Sequence, residues 1–504
     1  MEHLDFRKHC ISHPPELLEY FIKDSQANLI ITTPELEERI KSFVGKLKTQ
    51  VLTIDHKELL KEGLKNADEE SLATGFLGGD FYKQSPAMIV YTSGTTSKPK
   101  GVVLTHSNLD AQVSSLNSAW NITSADTILH SLPLHHVHGI VNALLTPLSV
   151  GGKVIMLPKF ETERVWELLL NLNMPQKDRV TLFMGVPTIY NYLIQEYDKL
   201  FKKDSQMAEY IKLHCQNKIR LMISGSAPLP TTVFQRWREI TGHSLLERYG
   251  MTEIGMALSN TLKEDQYKKR QPGFVGCPLP SVQIRITSPE NNNEVLLEAQ
   301  GEFNKGLWSS EVDKQIDTIK VCSANVAGDT EIVGNLLVKS PTVFKEYWNK
   351  PEATKKEFTE DGWFMTGDSV CYDPSLNSFK ILGRNSCDII KSRGYKISAL
   401  EMETKLLENS LIEDCAVLGI PDETYGQKIV ALIKYRNPTE VESTEQKEEV
   451  VKALSKWSQN KFASYSVPSV IEIVSKVPRN LMGKVNKADL VSEYLAQQSE
   501  AQVK

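Results

Sequence analysis

Short apolar runs alternate with helical periodicity through the middle of this chain, and that alternation limits the available folds more than any other feature. Residues 128–132, 154–157, 180–184 and 219–224 are apolar or β-branched. Helical patterns follow the last three, over 162–172, 187–197 and 230–241. A strand followed by a helix, repeated, calls for parallel sheets covered by helices on both faces, an α/β class. After Gly383 and Arg384 the pattern restarts on a smaller scale, with strands near 415–420 and 429–435 and helices over 445–462 and 487–498. With 504 residues the chain exceeds what one core usually supports. We therefore expect a large domain over 1–384 and a small α+β domain over 385–504. The stretch 287–334 is polar, rich in Asn, Glu and Lys, and is expected to be a surface loop or insertion.

Directly after the apolar run 87–90 comes Tyr91-Thr-Ser-Gly-Thr-Thr-Ser-Lys-Pro-Lys-Gly-Val102. Such a loop suits a phosphate. Gly94 lets backbone N–H groups come close to an anion, the hydroxyls of Thr92, Ser93, Thr95 and Thr96 can donate to its oxygens, and Lys98 and Lys100 supply charge. It is not a Walker A loop, because the fifth residue after Gly94 is Pro99 where that pattern needs Gly-Lys-Ser/Thr.

Further motifs follow in order: Ser224-Gly-Ser-Ala-Pro-Leu229, Leu246-Glu-Arg-Tyr-Gly-Met-Thr-Glu253, Gly362-Trp-Phe-Met-Thr-Gly-Asp368, Leu382-Gly-Arg384, Lys391-Ser-Arg-Gly-Tyr-Lys396 and Pro478-Arg-Asn-Leu-Met-Gly-Lys484. Together with the phosphate loop they resemble the adenylate-forming enzymes, the family of acyl-CoA synthetases, luciferases and nonribosomal adenylation domains. The resemblance implies that family's fold, sheets sandwiched by helices plus a small mobile C-terminal domain. It also implies a reaction in two halves: a carboxylate attacks the α-phosphate of ATP and expels pyrophosphate, then a thiol attacks the acyl-adenylate and expels AMP. ATP, Mg²⁺ and coenzyme A are the small molecules it calls for.

Residue by residue, the resemblance gives Thr92, Ser93, Gly94, Thr95, Thr96 and Lys100 to the ATP phosphates. Ser224, Gly225, Ser226, Ala227, Tyr249 and Gly250 fall on the adenine side, and Asp368 and Arg384 on the ribose. A carboxylate accepts two O–H bonds and an Arg fork donates in a plane, which suits ribose hydroxyls; a surface salt bridge would use the same pair of residue types. Glu253, after Thr252, can hold Mg²⁺ on the phosphates or be an acidic helix N-cap. Lys484 is the candidate for stabilising charge in the first half-reaction. Lys391, Gly394 and Tyr395 are the candidate contacts of coenzyme A, brought in by rotation of the small domain about a hinge between Asn385 and Asp388. Family members often carry Asp or Lys in that hinge, where this chain has Ser386 and Cys387.

Arg248 and the run Pro133-Leu-His-His-Val-His-Gly139 bear on the acid. A bare guanidinium in an apolar tunnel is costly, whereas a dicarboxylate would leave its second carboxylate facing Arg248. His135 and His136 line the acyl side with Ser226, or pack; a metal reading fails because no carboxylate or Cys completes the set. These motifs, with Tyr347-Trp-Asn-Lys-Pro-Glu352, look most like the malonyl-CoA and methylmalonyl-CoA synthetases of animal mitochondria. The alternatives are a short- or medium-chain monocarboxylate ligase and an inactive binding protein.

A net charge of −5 and a pI near 6.2 leave no electrostatic footprint for nucleic acid. The seven cysteines never form a Cys-x-x-Cys pair and read as free thiols. No run reaches the ~18 apolar residues of a membrane span. The first ten residues carry acids and no hydrophobic core, so no presequence is expected; location is mitochondrial by resemblance and otherwise cytoplasmic. Residues 13–25 resemble a region that relatives reach only after a further subdomain, which is expected to be missing here. A monomer is expected.

Overall fold

The computed structural model describes residues 15–45, 49–55, 79–92, 98–172, 175–264, 270–291, 293–302, 317–321, 330–479 and 484–503. Thirteen strands form the largest sheet. Its first half is the parallel series anticipated above: Thr127–His130 pairs with Lys153–Met156 and Leu182–Gly185, and Leu221–Ser224 joins Leu182–Gly185 to Leu246–Met251, all parallel. These strands read as continuous apolar runs because both faces are covered, as Thr127–His130, Leu182–Gly185 and Leu221–Ser224 are buried at every position. Helices Thr162–Leu169, Pro187–Leu200 and Thr231–Thr241 bury Trp166, Tyr190 and Trp237 against them.

From Leu246–Met251 onward the sheet turns antiparallel. This strand forms a hairpin with Gly255–Ser259, which leads on through Phe274–Pro278 to Ser378–Arg384, Phe364–Asp373 and Ile332–Lys339. The stretch 287–334 is therefore not a plain loop: Val295–Gly301 and Asp317–Val321 are strands of the same sheet. In Val295–Gly301 the buried positions are Leu297, Ala299 and Gly301, the period of two of a strand with one wet face, and the polar residues between them hid it.

The small domain is a five-stranded sheet with a core on each face. Cys415 and Val417 pack on one side with the helices Ala399–Leu406 and Thr444–Lys461, while Ala416, Leu418 and Ile420 pack on the other with Leu490 and Tyr494 of the helix Lys487–Val503. The last strand of the large sheet ends at Arg384 and the first of the small sheet begins at Ile389. An N-terminal helix, Pro15–Ser25, docks on the phosphate-loop strand Pro86–Thr92, with Tyr20 Oη donating to Pro99 O at 2.7 Å and Tyr91 Oη to Asp24 Oδ2 at 2.9 Å.

Candidate active site

The cleft is built where the parallel half of the sheet gives way to the antiparallel half. Leu221–Ser224 ends at its carboxyl edge in Ser224-Gly-Ser-Ala, the usual place for a ligand in an open α/β sheet. Ser226 takes φ of +72°, a strained backbone for a residue with a side chain. Its Oγ lies 3.2 Å from His138 Nδ1 and accepts from Arg248 Nη2 at 3.4 Å.

Arg248, on the strand Leu246–Met251, is 3% exposed. No carboxylate lies within ion-pair distance of it among the described residues, and its Nε has no hydrogen-bond partner. Burial pushes its pKa down to about 9, so it stays charged at neutral pH without a counterion. His138 is buried beside it, and its Nε2 also lacks a partner. Burial first, and Arg248 next, hold that imidazole well below its ordinary pKa and keep it neutral. His130 fixes the local backbone by bonding Gly139 O at 2.9 Å. Of the three histidines in the run, His135 and His136 are half-buried with rings 4.2 Å apart, whereas His138 meets Ser226 and Arg248. Sequence reasoning passed over His138; its place at the start of the helical turn His138–Leu145, just past a strand edge, was the available signal.

Across the cleft, Asp368 and Arg384 are cross-strand partners, with Arg384 Nε 3.0 Å from Asp368 Oδ1. Tyr249 Oη donates to Asp368 Oδ2. Burial raises the Asp368 pKa, against the pull of Arg384. Burial would lower Arg384, but Asp368, Tyr249 and Glu253 together more than offset it and the guanidinium is held above its ordinary value. An acceptor and a forked donor thus stand side by side.

Glu253 lies in the hairpin turn between Leu246–Met251 and Gly255–Ser259, so it caps no helix. It is buried and accepts from Tyr347 Oη at 2.9 Å; burial raises its pKa. Lys100 sits 4.2 Å over the Tyr347 ring and 3.2 Å from Glu357. Of the candidates in the 91–102 loop, Thr92 and Lys100 are described; Ser93, Gly94, Thr95 and Thr96 lie outside the described residues. Gly250 is required by close packing, since a β-carbon would stand 2.1 Å from Gly255 O.

Lys484 of the small domain reaches into this field. Burial and Arg384 lower its pKa, Asp368 opposes them, and Arg248 and Glu253 lie within electrostatic range. The ring of named charges around its ammonium is what bears on chemistry. Lys391, Gly394 and Tyr395 belong instead to the hairpin Ile389–Ser392 and Tyr395–Ser398. Its two-residue turn is Arg393 and Gly394, with φ of +53° and +83°, and nothing lies within 4 Å of a β-carbon built on Gly394. Tyr395 stacks on Tyr465 at 4.2 Å, and Lys396 pairs with Glu290 of the large domain at 2.9 Å.

The buried Arg248, the Asp368–Arg384 pair and Lys484 thus share one electrostatic neighbourhood. The chain belongs to the AMP-binding enzyme family, whose model matches residues 11–304, while the AMP-binding enzyme C-terminal domain matches 401–484. It is 44% identical to the mitochondrial malonate–CoA ligase ACSF3 of Bos taurus over 484 residues, 95% of this chain and 76% of that one. The ATP-bound crystal structure of MatB from Rhodopseudomonas palustris matches with a TM-score of 0.74 and 30% identity, over 96% of this chain and 82% of that one. A malonyl-CoA ligase ternary product complex with methylmalonyl-CoA and AMP matches with 0.55 and 32% identity, over 92% and 83%. It is an acid–thiol ligase with an adenylate-forming fold. No helix among the described residues is long and apolar enough to cross a membrane.

Proposed function

We propose that this protein joins malonate or methylmalonate to coenzyme A through an acyl-adenylate, with Arg248 holding the carboxylate that does not react. The observation that carries this reading is a buried guanidinium with no carboxylate within ion-pair distance among the described residues. A buried charge without a counterion costs several kcal/mol, so it is retained where a ligand supplies the counterion. The neutral His138, with its unpartnered Nε2, lies beside it and can donate to the same carboxylate.

In the first half-reaction one malonate carboxylate forms a bond to the α-phosphorus of ATP and pyrophosphate leaves. Asp368 and Arg384 hold the ribose, Lys100 with the phosphate loop holds the leaving phosphates, and Lys484 balances charge that builds on the α-phosphate. Glu253 fits Mg²⁺, since a buried carboxylate whose described partners are few leaves an oxygen for a hard cation that takes most of its ligands from phosphate and water. The cation supplies charge neutralisation on the phosphates when bound.

In the second, the coenzyme A thiol gives up its proton, its sulfur bonds the acyl carbon, and AMP leaves. This needs Lys484 out and the Lys391–Gly394–Tyr395 hairpin in, by rotation of the small domain. We propose a monomer, which sedimentation tests. We infer a mitochondrial location from the relative's name, which fractionation tests.

Pyrophosphate release with malonate, methylmalonate, acetate and octanoate tests the reading. Turnover confined to the two dicarboxylates supports it. Preference for octanoate, or no turnover by a chain that melts cooperatively, overturns it.

A further inference from the structure

One buried charge cluster lies apart from the nucleotide cleft. Lys487, the first residue of the helix Lys487–Val503, has Nζ 2.8 Å from Asp388 Oδ1 and 2.9 Å from Glu403 Oε1. Its side chain is 4% exposed. Glu403, on the helix Ala399–Leu406, also accepts from Val417 N at 2.7 Å. The other Asp388 oxygen, Oδ2, accepts from Arg384 N at 3.0 Å, and Asp388 N donates to Arg384 O at 2.8 Å. So one oxygen of Asp388 holds the last residue of the large-domain strand, and the other holds the small domain.

The approach to Lys484 is fastened on both sides. Before it, Arg479 makes a bidentate pair with Asp414 at 2.6 and 2.9 Å; after it comes Lys487. Gly383 is shaped by the same cluster: its φ is +124°, and a β-carbon would stand 2.4 Å from Asp388 Cβ. Burying three charges in an interior is a poor way to gain stability, since apolar side chains of similar volume do as well or better. What an ion cluster does supply is registry, a fixed geometry among the elements it joins.

We propose that Lys487, Asp388 and Glu403 form a clutch that couples the hinge to the Lys484 loop. The small domain turns as one body that begins at Asp388, the torsions that change belong to residues 385–387, and the two Asp388–Arg384 contacts break while the ion cluster holds. Lys487 and Asp388 are positioning residues, which act by setting where Lys484 enters the cleft. This rests on the two-step reading above.

The full chain is tested as Asp388→Asn, Lys487→Met and Lys487→Arg, with three readouts: ATP–pyrophosphate exchange with malonate, thioester formation from supplied malonyl-adenylate, and the melting temperature. Asp388→Asn keeps the Lys487–Glu403 pair, so it stays folded even if Lys487→Met does not. Its exchange kcat is expected to fall roughly ten- to a hundredfold, as for a misplaced catalytic group, with KM for ATP held within about twofold. Thioester formation from the adenylate falls less, and Lys487→Arg recovers most of the exchange that Lys487→Met loses. Exchange by Asp388→Asn within about twofold of the parent, or equal loss of both half-reactions in step with melting, overturns the clutch. A parent that makes no malonyl-CoA overturns the two-step reading itself.

Discussion

Gly225 has no side chain where the guanidinium of Arg248 lies: a β-carbon there would stand 2.6 Å from Arg248 Cζ and 2.7 Å from its Nε. The loop after Leu221–Ser224 and the strand Leu246–Met251 are therefore fitted to one another through a charge. Gly225→Ala should push the guanidinium off its position and raise KM for malonate about tenfold, the equivalent of about 1.4 kcal/mol, with less effect on ATP. Steady-state kinetics in malonate and in ATP check this. A larger rise for ATP would assign Gly225 to the adenine instead.

Lys484 lies among Arg384, Asp368, Arg248 and Glu253 in the present arrangement of the domains. If it serves only the first half-reaction, Lys484→Ala abolishes ATP–pyrophosphate exchange yet still converts supplied malonyl-adenylate to the thioester. Equal loss of both would contradict domain rotation.

Gly394 is required here by its turn, φ +83°, since nothing beyond its chain neighbours lies within 4 Å of a β-carbon built on it. Gly394→Ala should cost about 1 kcal/mol of backbone strain and leave exchange near the parent rate. Consumption of coenzyme A should fall further than exchange does, since the hairpin must approach the cleft in the second step. Pyrophosphate and free thiol measured in parallel separate the two; a fall in exchange alone would contradict the assignment.

The nucleotide half of this site was legible because its chemistry is carried by short local motifs. Asp368 and Arg384 stand in separate motifs, and both fall on the strands that pair them. The acyl half was less so. His138 is chosen over His135 and His136 by a helical turn and by Ser226, 88 positions away, and no spacing along the chain encodes that contact. The antiparallel half of the sheet was hidden for a similar reason: Val295–Gly301 carries Glu298 and Gln300 between its buried positions, and only pairing reveals its period of two. The ion cluster at Lys487 joins residues from three separate elements and gives no sequence signal at all.

Glu247 precedes Arg248 on the same strand and so faces the other side of the sheet, where it accepts from Gly273 N at 2.9 Å. Burial pushes its pKa up to about 8, from 4.5. Between those values the folded chain holds a proton that the unfolded chain has released, so this group's contribution is present at acid pH and is lost as pH rises through about 8. Glu247→Gln keeps the acceptor for Gly273 and removes the titration. It should match the parent's stability near pH 5 and exceed it by about 1–3 kcal/mol above pH 8. Denaturant melts at both pH values check the sign, and a variant that loses stability with pH as the parent does would place the titration elsewhere.

The central claim is that Arg248 selects the acid by pairing with the carboxylate that does not react. The most direct measurement is kcat/KM for malonate against butyrate, in the parent and in Arg248→Leu. A charge-assisted pair contributes on the order of 1.5–3 kcal/mol, so the ratio should shift toward butyrate by roughly ten- to more than a hundredfold, while KM for ATP stays near the parent value. A ratio within about twofold of the parent, a difference of only ~0.4 kcal/mol, would mean that Arg248 reads no carboxylate and would contradict the account.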